Sequence, residues 1–122
     1  MAKLRHIAVS VKNLEESAQF YERVFGLKRV GAETLGAGSG IYLSDGVVNL
    51  ALLKLNGTDF VGTHHFGFIV DDTESTRALI EAEGGSFFMK FGEEGKENAE
   101  DKFKDPEGVI FDISHTGWAG TV

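Results

Sequence analysis

Two histidines and an aspartate, His6, His65 and Asp112, are the residues of this chain whose types could together bind a divalent metal ion. Neutral imidazole nitrogens and carboxylate oxygens are common metal ligands, and a site with three of them leaves positions open for substrate oxygens. Taken singly, each residue has a plainer interpretation, as a histidine hydrogen-bonded within a strand or an aspartate at the surface. The metal interpretation therefore depends on the elements that position the three side chains.

The first histidine lies in a stretch, residues 4–11, in which large apolar residues alternate with small or polar ones. The two sets are Ile7, Val9 and Val11 on one side and His6, Ala8 and Ser10 on the other. Alternation with a period of two predicts a β-strand with one apolar face. A helix is expected next, because Asn13 can cap it, Glu16 can complete a capping box and Gly26 can end it.

Three shorter strand-like segments follow this helix. They cover residues 27–32, 41–43 and 47–55. A glycine-rich connection through Gly40 is expected between the first two, and Asp45-Gly46 is typical of a hairpin turn before the third. Residues 56–63 carry little periodic apolar pattern and are predicted to be a linker.

The same order of elements begins again at His64. The interval from His6 to His65 is also the interval from Gly26 to Gly85, which indicates an internal repeat. A second helix is expected, capped by Asp72 or Thr73 and ending at the glycine pair 84–85. Three further strands are expected at residues 86–91, 102–104 and 109–115.

The repeat predicts the fold class. We expect an α+β protein in which two βαβββ modules, residues 1–56 and 63–122, form a single domain over residues 1–122. Each module would place one helix on one face of a mixed sheet, and the sheet would curve to leave a metal or ligand cleft on the other face.

Strand alternation separates the residues under the helices from those of the cleft face. The helix-side set is apolar: Ile7, Val9, Val11, Leu50, Leu52, Phe66, Phe68, Val70, Val109, Phe111 and Ile113. The cleft-side set is small or polar: His6, Ala8, Ser10, Asn49, Ala51, His65, Gly67, Ile110, Asp112 and Ser114. The three candidate ligands therefore share one predicted face.

Composition excludes several function classes. A chain of 122 residues is the size of one domain, and its net charge of −7 would repel a phosphate backbone, so a nucleic acid is not expected as a partner. The absence of cysteine excludes disulfides and cysteine-ligated zinc. No stretch approaches the roughly 20 apolar residues that cross a bilayer, so we expect a cytoplasmic protein with no membrane partner.

The order of several short motifs resembles the vicinal oxygen chelate superfamily, which includes glyoxalase I, bleomycin-resistance proteins and extradiol dioxygenases. The motifs are His6-Ile7-Ala8-Val9, residues 18–27, His65-Phe66-Gly67-Phe68, Val70-Asp71-Asp72 and Asp105-Pro106-Glu107-Gly108. The resemblance implies a divalent metal in the cleft of a curved sheet built from paired βαβββ modules. Such a metal binds adjacent oxygens of a substrate and acts as a Lewis acid.

Carried over by position, the resemblance implies that His6, His65 and Asp112 are the metal ligands. The glutamate that glyoxalase I and the epimerases carry on the last strand of module one would fall at Ala51, which disfavours a similar isomerase. Extradiol dioxygenases and fosfomycin-resistance transferases use two histidines and one carboxylate, as here. The carboxylate at Asp112 is one methylene shorter than the usual glutamate.

The resemblance also implies cleft residues beyond the ligands. Tyr42 is the candidate catalytic tyrosine of the dioxygenase type, and Lys90 lies where a phosphonate-contacting lysine is expected in the fosfomycin type. The predicted substrate cleft comprises Ala8, Ser10, Asn49, Ala51, Gly67 and Lys90.

Two functions of different classes stay open. One is a metal-dependent enzyme of the dioxygenase or lyase type acting on a small oxygen-rich substrate, with Fe, Mn, Zn and Ni not distinguished. The other is a metal-free protein that sequesters a small molecule, of the bleomycin-resistance kind, which the alanine at position 51 favours. A homodimer is expected in either case, because it would cover exposed sheet edges. The resemblance also implies that the partner chain completes the cleft.

Overall fold

One order of elements, a strand, a helix and three further strands, occurs twice in the computed structural model, which describes residues 2–92 and 99–116. The first set comprises β1 (Lys3–Ser10), α1 (Leu14–Phe25), β2 (Lys28–Leu35), β3 (Gly38–Ser44) and β4 (Asn49–Leu55). The second set comprises β5 (Gly62–Ile69), α2 (Thr73–Ala82), β6 (Ser86–Phe91), β7 (Glu100–Lys104) and β8 (Ile110–Ser114). The predicted α+β class with two βαβββ repeats is confirmed.

Both helices begin at the side chains that the sequence indicated. The Asn13 side chain accepts a hydrogen bond from the Glu16 backbone N–H at 3.0 Å, and α1 ends at Gly26, which is left-handed with φ 71°. Of the two candidate caps for α2, Asp72 accepts from the Glu74 N–H at 3.3 Å. The helices are therefore delimited by local chemistry.

The described chain divides into two compact units. We call residues 6–64 the N-terminal unit, and residues 2–5, 65–92 and 99–116 the C-terminal unit. In the N-terminal unit the strand order is β2-β3-β4-β1, with β1 parallel to β4 and the other pairs antiparallel. Its core lies under α1 and contains Ala18, Ile41, Leu43 and Leu52.

The C-terminal unit has the corresponding strand order, β5-β8-β7-β6, with β5 parallel to β8. Its core contains Val70, Phe103 and Ile113, against which Ile80 of α2 packs. The Phe103 ring lies 5.6 Å from that of Phe87 and 6.0 Å from that of Phe111, centroid to centroid. This apolar layer fixes the strands whose other face carries polar residues.

Two local predictions are wrong. The glycine-rich connection is strand, because β2 continues to Leu35 and β3 already begins at Gly38, so only residues 36 and 37 form the turn. The strand expected from position 47 begins at Asn49, because the Asp45 side chain holds the Val47 and Val48 N–H groups in the turn. A carboxylate that accepts these N–H groups takes them out of strand pairing.

Two residues of the predicted helix-side layer are exposed: Ile7 is 39% exposed and Val109 is 47% exposed. Both α-helices of the described residues are too short and too polar to span a membrane.

Candidate metal centre

Strand register places His65, Lys102 and Asp112 on one face of the C-terminal unit. Asp112 of β8 lies opposite Gly67 of β5 and opposite Lys102 of β7. His65 precedes Gly67 by two residues and therefore points to the same side. Because β8 runs between β5 and β7, the Asp112 carboxylate lies between the histidine and the lysine.

These three side chains converge on one point. The Lys102 ammonium donates a hydrogen bond to Asp112 Oδ2 at 3.1 Å and lies 3.3 Å from His65 Nε2. The distance between His65 Nε2 and Asp112 Oδ2 is 3.4 Å. An ammonium can only donate, so a hydrogen bond between Lys102 and His65 Nε2 requires the tautomer that has its ring proton on Nδ1.

A second, buried ion pair lies beside this group. Arg5 Nη1 donates to Glu100 Oε2 at 3.4 Å, and Glu100 Oε1 is 3.8 Å from the Lys102 ammonium. Burial and, after it, the negative charge of Asp112 raise the pKa of Glu100 to about 8, although Lys102 and Arg5 act in the opposite direction. Two buried carboxylates thus share two cationic side chains.

The donor chemistry of this group suits a divalent metal. Histidine binds a metal as the neutral imidazole and aspartate binds it as the ionised carboxylate, and His65 Nε2 lies 3.4 Å from Asp112 Oδ2. The same two atoms already hold a cation, the Lys102 ammonium. His65 and Asp112 are therefore the residues of this unit that could bind a metal.

In the N-terminal unit, register places the other predicted site residues on a common face. His6 of β1 lies opposite Asn49 of β4, and Ala8 lies opposite Ala51. Tyr42 of β3 lies opposite Ala51 on the other side, so it shares that face. His6, Ala8, Ser10, Asn49 and Ala51 are each no more than 1% exposed. This polar face is as well buried as an apolar core.

Tyr42, the predicted catalytic residue, is half-buried and its hydroxyl donates to Glu33 Oε1 on β2. Its ring lies against the glycines at 31 and 40, where a Cβ would approach the ring to 3.3 and 3.1 Å. The tyrosine ring can pack here because the residues at these two positions have no side chain.

Lys90, a predicted cleft residue, is not brought to the face of His65 and Asp112. It lies opposite Asp101 of β7, and the neighbouring residue Lys102 is the one that faces Asp112. Side chains alternate, so Lys90 points to the helix side, where its ammonium is 3.9 Å from Asp101 Oδ1. There it lines a cavity of about 180 Å³ beside the first turn of α2.

Sequence reasoning missed Lys102, Glu100 and Arg5. The available signal was the alternation along 100–104, which puts positions 100, 102 and 104 on one face of a strand. The pairing of that strand with β8 was also needed, because only the register of Lys102 with Asp112 shows which face it is.

Comparison with known proteins identifies the family. The model of the Glyoxalase/Bleomycin resistance protein/Dioxygenase superfamily matches residues 3–113. The chain belongs to this superfamily. The resemblance stated from the sequence motifs is thereby confirmed, and so is the fold that it implied.

The proteins that this chain resembles carry different names. A probable trivalent organoarsenical cleaving enzyme of Bacillus subtilis (strain 168) is 33% identical over 123 residues, covering 93% of this chain and 80% of that protein. A hypothetical protein from Bacillus halodurans C-125 is 20% identical with a TM-score of 0.77, covering 92% of each chain. A Streptomyces coelicolor methylmalonyl-CoA epimerase in complex with 2-nitronate-propionyl-CoA is 19% identical with a TM-score of 0.78, covering 96% of this chain and 98% of that one. The two structural likenesses show the fold alone.

Proposed function

We propose that the chain is a divalent-metal-dependent enzyme of the lyase or dioxygenase type, with His6, His65 and Asp112 as the metal ligands. The observation that carries the proposal is the pair His65 Nε2 and Asp112 Oδ2, 3.4 Å apart, buried, and converging on a cation. A buried imidazole and carboxylate that already hold positive charge are the chemistry a metal centre requires.

The third ligand comes from the repeat. His6 occupies on β1 the position that His65 occupies on β5, each within the first strand of its βαβββ set, and each is buried. Two neutral imidazoles and one carboxylate leave a metal with positions open to substrate oxygens. When bound, the metal would supply Lewis-acid polarisation of those oxygens.

The chain's own residues would orient the substrate. Tyr42 is the candidate to hold a proton at its hydroxyl, since that hydroxyl already donates to the carboxylate of Glu33. On the polar face of the N-terminal unit the side chains of Ala8 and Ala51 are small, and Ser10 and Asn49 offer hydrogen-bonding groups. In the C-terminal unit Gly67 is the small residue opposite Asp112. These small and hydrogen-bonding residues suit a small, oxygen-rich substrate.

The relative named as an organoarsenical cleaving enzyme supports bond cleavage as the reaction class. Trivalent arsenic is soft and prefers thiolate ligands, whereas none of the 122 residues of this chain is a cysteine. We therefore infer a substrate held through oxygen. An isomerase is the weaker choice, because position 51 carries a methyl group and no carboxylate.

A metal-free binding protein is the second candidate function, and one observation favours it. The Lys102 ammonium already neutralises Asp112 and hydrogen-bonds to His65, so the group is satisfied without a metal. In that case the buried polar face would sequester a small molecule without chemistry.

Metal analysis of the purified protein tests the proposal. After incubation with Mn²⁺, Fe²⁺, Zn²⁺ or Ni²⁺ and removal of the excess, we expect about one metal ion per chain, measured by plasma mass spectrometry. His65→Ala should lose this ion, and His115→Ala, a matched change at an exposed histidine, should keep it. Wild-type protein that retains none of the four metals would contradict the enzyme proposal and leave the binding protein.

A further inference from the structure

We infer that Lys102 is the built-in counter-cation of this centre, and that a divalent metal binds only by displacing its ammonium from His65 and Asp112. This inference rests on the proposed metal site. It assigns to Lys102 a role in setting metal affinity, which the motifs of the superfamily do not assign to any residue of this chain.

The contact atoms make the two cations mutually exclusive. The Lys102 ammonium lies 3.3 Å from His65 Nε2 and 3.1 Å from Asp112 Oδ2. These are the two atoms through which His65 and Asp112 would bind a metal. A metal ion bound to these atoms would lie close to the ammonium, and two positive charges close together in a buried site repel strongly. The ammonium and the metal therefore compete for His65 and Asp112.

Lys102 is the member of the group that is able to move. Asp112 is fully buried on the central strand β8, whereas the Lys102 side chain is 12% exposed and has a flexible four-carbon stem. Its ammonium also lies 5.7 Å from the centre of the Phe91 ring on β6. An aromatic face is a favourable second position for a displaced ammonium.

The counter-cation also explains how the metal-free protein tolerates its buried charge. Asp112 and Glu100 are both buried carboxylates, and Lys102 lies 3.1 Å from the first and 3.8 Å from the second. Burial raises the pKa of Glu100 to about 8, so the charge that most needs a neighbouring cation is that of the buried Asp112 carboxylate. Lys102 therefore holds the site together before a metal arrives, and it weakens binding of that metal.

Titration calorimetry with Mn²⁺ tests the inference directly. Lys102→Met removes the charge but keeps an unbranched side chain that is only one atom shorter, and we expect it to bind Mn²⁺ at least about tenfold more tightly than wild type. The matched control is Lys104→Met, on the same strand and the same face, whose ammonium lies 4.6 Å from the Phe88 ring. It loses the same charge, and its affinity should stay within about twofold of wild type.

The outcomes separate this inference from the proposed function. Tight binding by wild type with no gain in Lys102→Met would overturn the counter-cation role and leave the metal site standing. An equal gain in Lys104→Met would overturn the role as well, because the effect would then be one of net charge. Absence of Mn²⁺ binding in all three proteins would overturn the counter-cation role, and the proposed function falls with it only if the wild-type protein also retains none of Fe²⁺, Zn²⁺ and Ni²⁺.

A second measurement uses only the wild-type chain. It tests whether Mn²⁺ displaces the Lys102 ammonium even if Lys102→Met does not fold. An amine-acylating reagent is added with and without saturating Mn²⁺, and modification of each lysine is followed by mass spectrometry of peptides. Displacement predicts faster acylation of Lys102 in the presence of Mn²⁺ and an unchanged rate at Lys104. An unchanged or slower rate at Lys102 would overturn the inference.

Discussion

Arg5 is the cationic partner of Glu100, a carboxyl group whose pKa burial raises to about 8, so that it is a buried charge only above that pH. The two side chains are 1% and 6% exposed, and their closest N–O distance is 3.4 Å. Replacing both partners of such a buried ion pair by apolar residues changes the stability little. Removing one partner is costly, because the other is left buried without its counter-charge. We therefore expect Arg5→Met to lower the free energy of unfolding by about 3 kcal/mol in urea denaturation above pH 8, where Glu100 is ionised.

The double variant identifies the cause of that loss. Arg5→Met combined with Glu100→Gln removes the carboxylate that has lost its partner. The double variant should therefore be more stable to unfolding than Arg5→Met alone by more than about 1 kcal/mol. A strictly additive pair of losses would show that Arg5 stabilises the C-terminal unit by packing alone.

At the level of elements, the glycines of the β2–β3 hairpin differ in what surrounds them. A Cβ on Gly38 would lie 2.2 Å from the Lys54 backbone oxygen, and φ there is +150°, whereas a Cβ on Gly36 would meet nothing within 4 Å. Gly38→Ala must therefore displace β3 from β4. We expect it to cost more than about 2 kcal/mol in thermal or urea unfolding, against less than about 0.5 kcal/mol for Gly36→Ala. Equal effects would contradict the pairing of Gly38 with Leu55.

The turn that leads into β4 gives a dependence on pH. Hydrogen bonds from the Val48 and Val47 N–H groups, each 2.8 Å long, lower the pKa of Asp45 below its ordinary value of 3.8. A lowered folded-state pKa contributes stability above the unfolded value, and this stability is lost as the pH falls through the folded value. The Tm advantage of wild type over Asp45→Asn should therefore be constant near neutrality and shrink below about pH 3.8. A pH-independent difference would contradict this explanation.

The elements were predictable from the sequence where their determinants are local. Asn13 and Gly26 delimit α1 through contacts within one helical turn, and alternation around His6 and His65 identified the correct strand faces. The role of Lys102 was not predictable in this way, because it depends on which residue of β8 lies opposite it. The glycine-rich stretch through Gly40 was misread as a loop, since glycine is usually depleted in strands, whereas Gly38 is required by the Lys54 backbone and Gly40 by the Tyr42 ring.

At the scale of the whole molecule, the homodimer stays a prediction. Strand β6 is the last strand of its sheet and carries three half-exposed apolar side chains, Phe87, Phe88 and Met89, each between 41% and 44% exposed. An edge strand with such residues favours association with another surface. Sedimentation velocity at micromolar concentration should give twice the mass of the chain, and a single monomeric species would contradict the prediction.

The proposed metal centre also predicts a change in global stability. An ion that binds the folded chain and not the unfolded one stabilises by about 2.7 kcal/mol at a hundredfold excess over Kd, which is roughly a 10 °C rise in Tm for a chain of this length. Wild type with saturating Mn²⁺ should show this rise in differential scanning fluorimetry, and a chelator should reverse it.

Net charge is the competing cause of such a rise. At −7 the molecule attracts Mn²⁺ nonspecifically, but exposed charges are screened beyond about 8 Å at 0.15 M ionic strength, whereas a buried centre is affected less. The rise should therefore persist at that ionic strength in wild type and in His115→Ala, and disappear in His65→Ala. A rise of equal size in His65→Ala would assign the effect to surface carboxylates, because that variant keeps every acidic residue and lacks only the buried imidazole that faces Asp112.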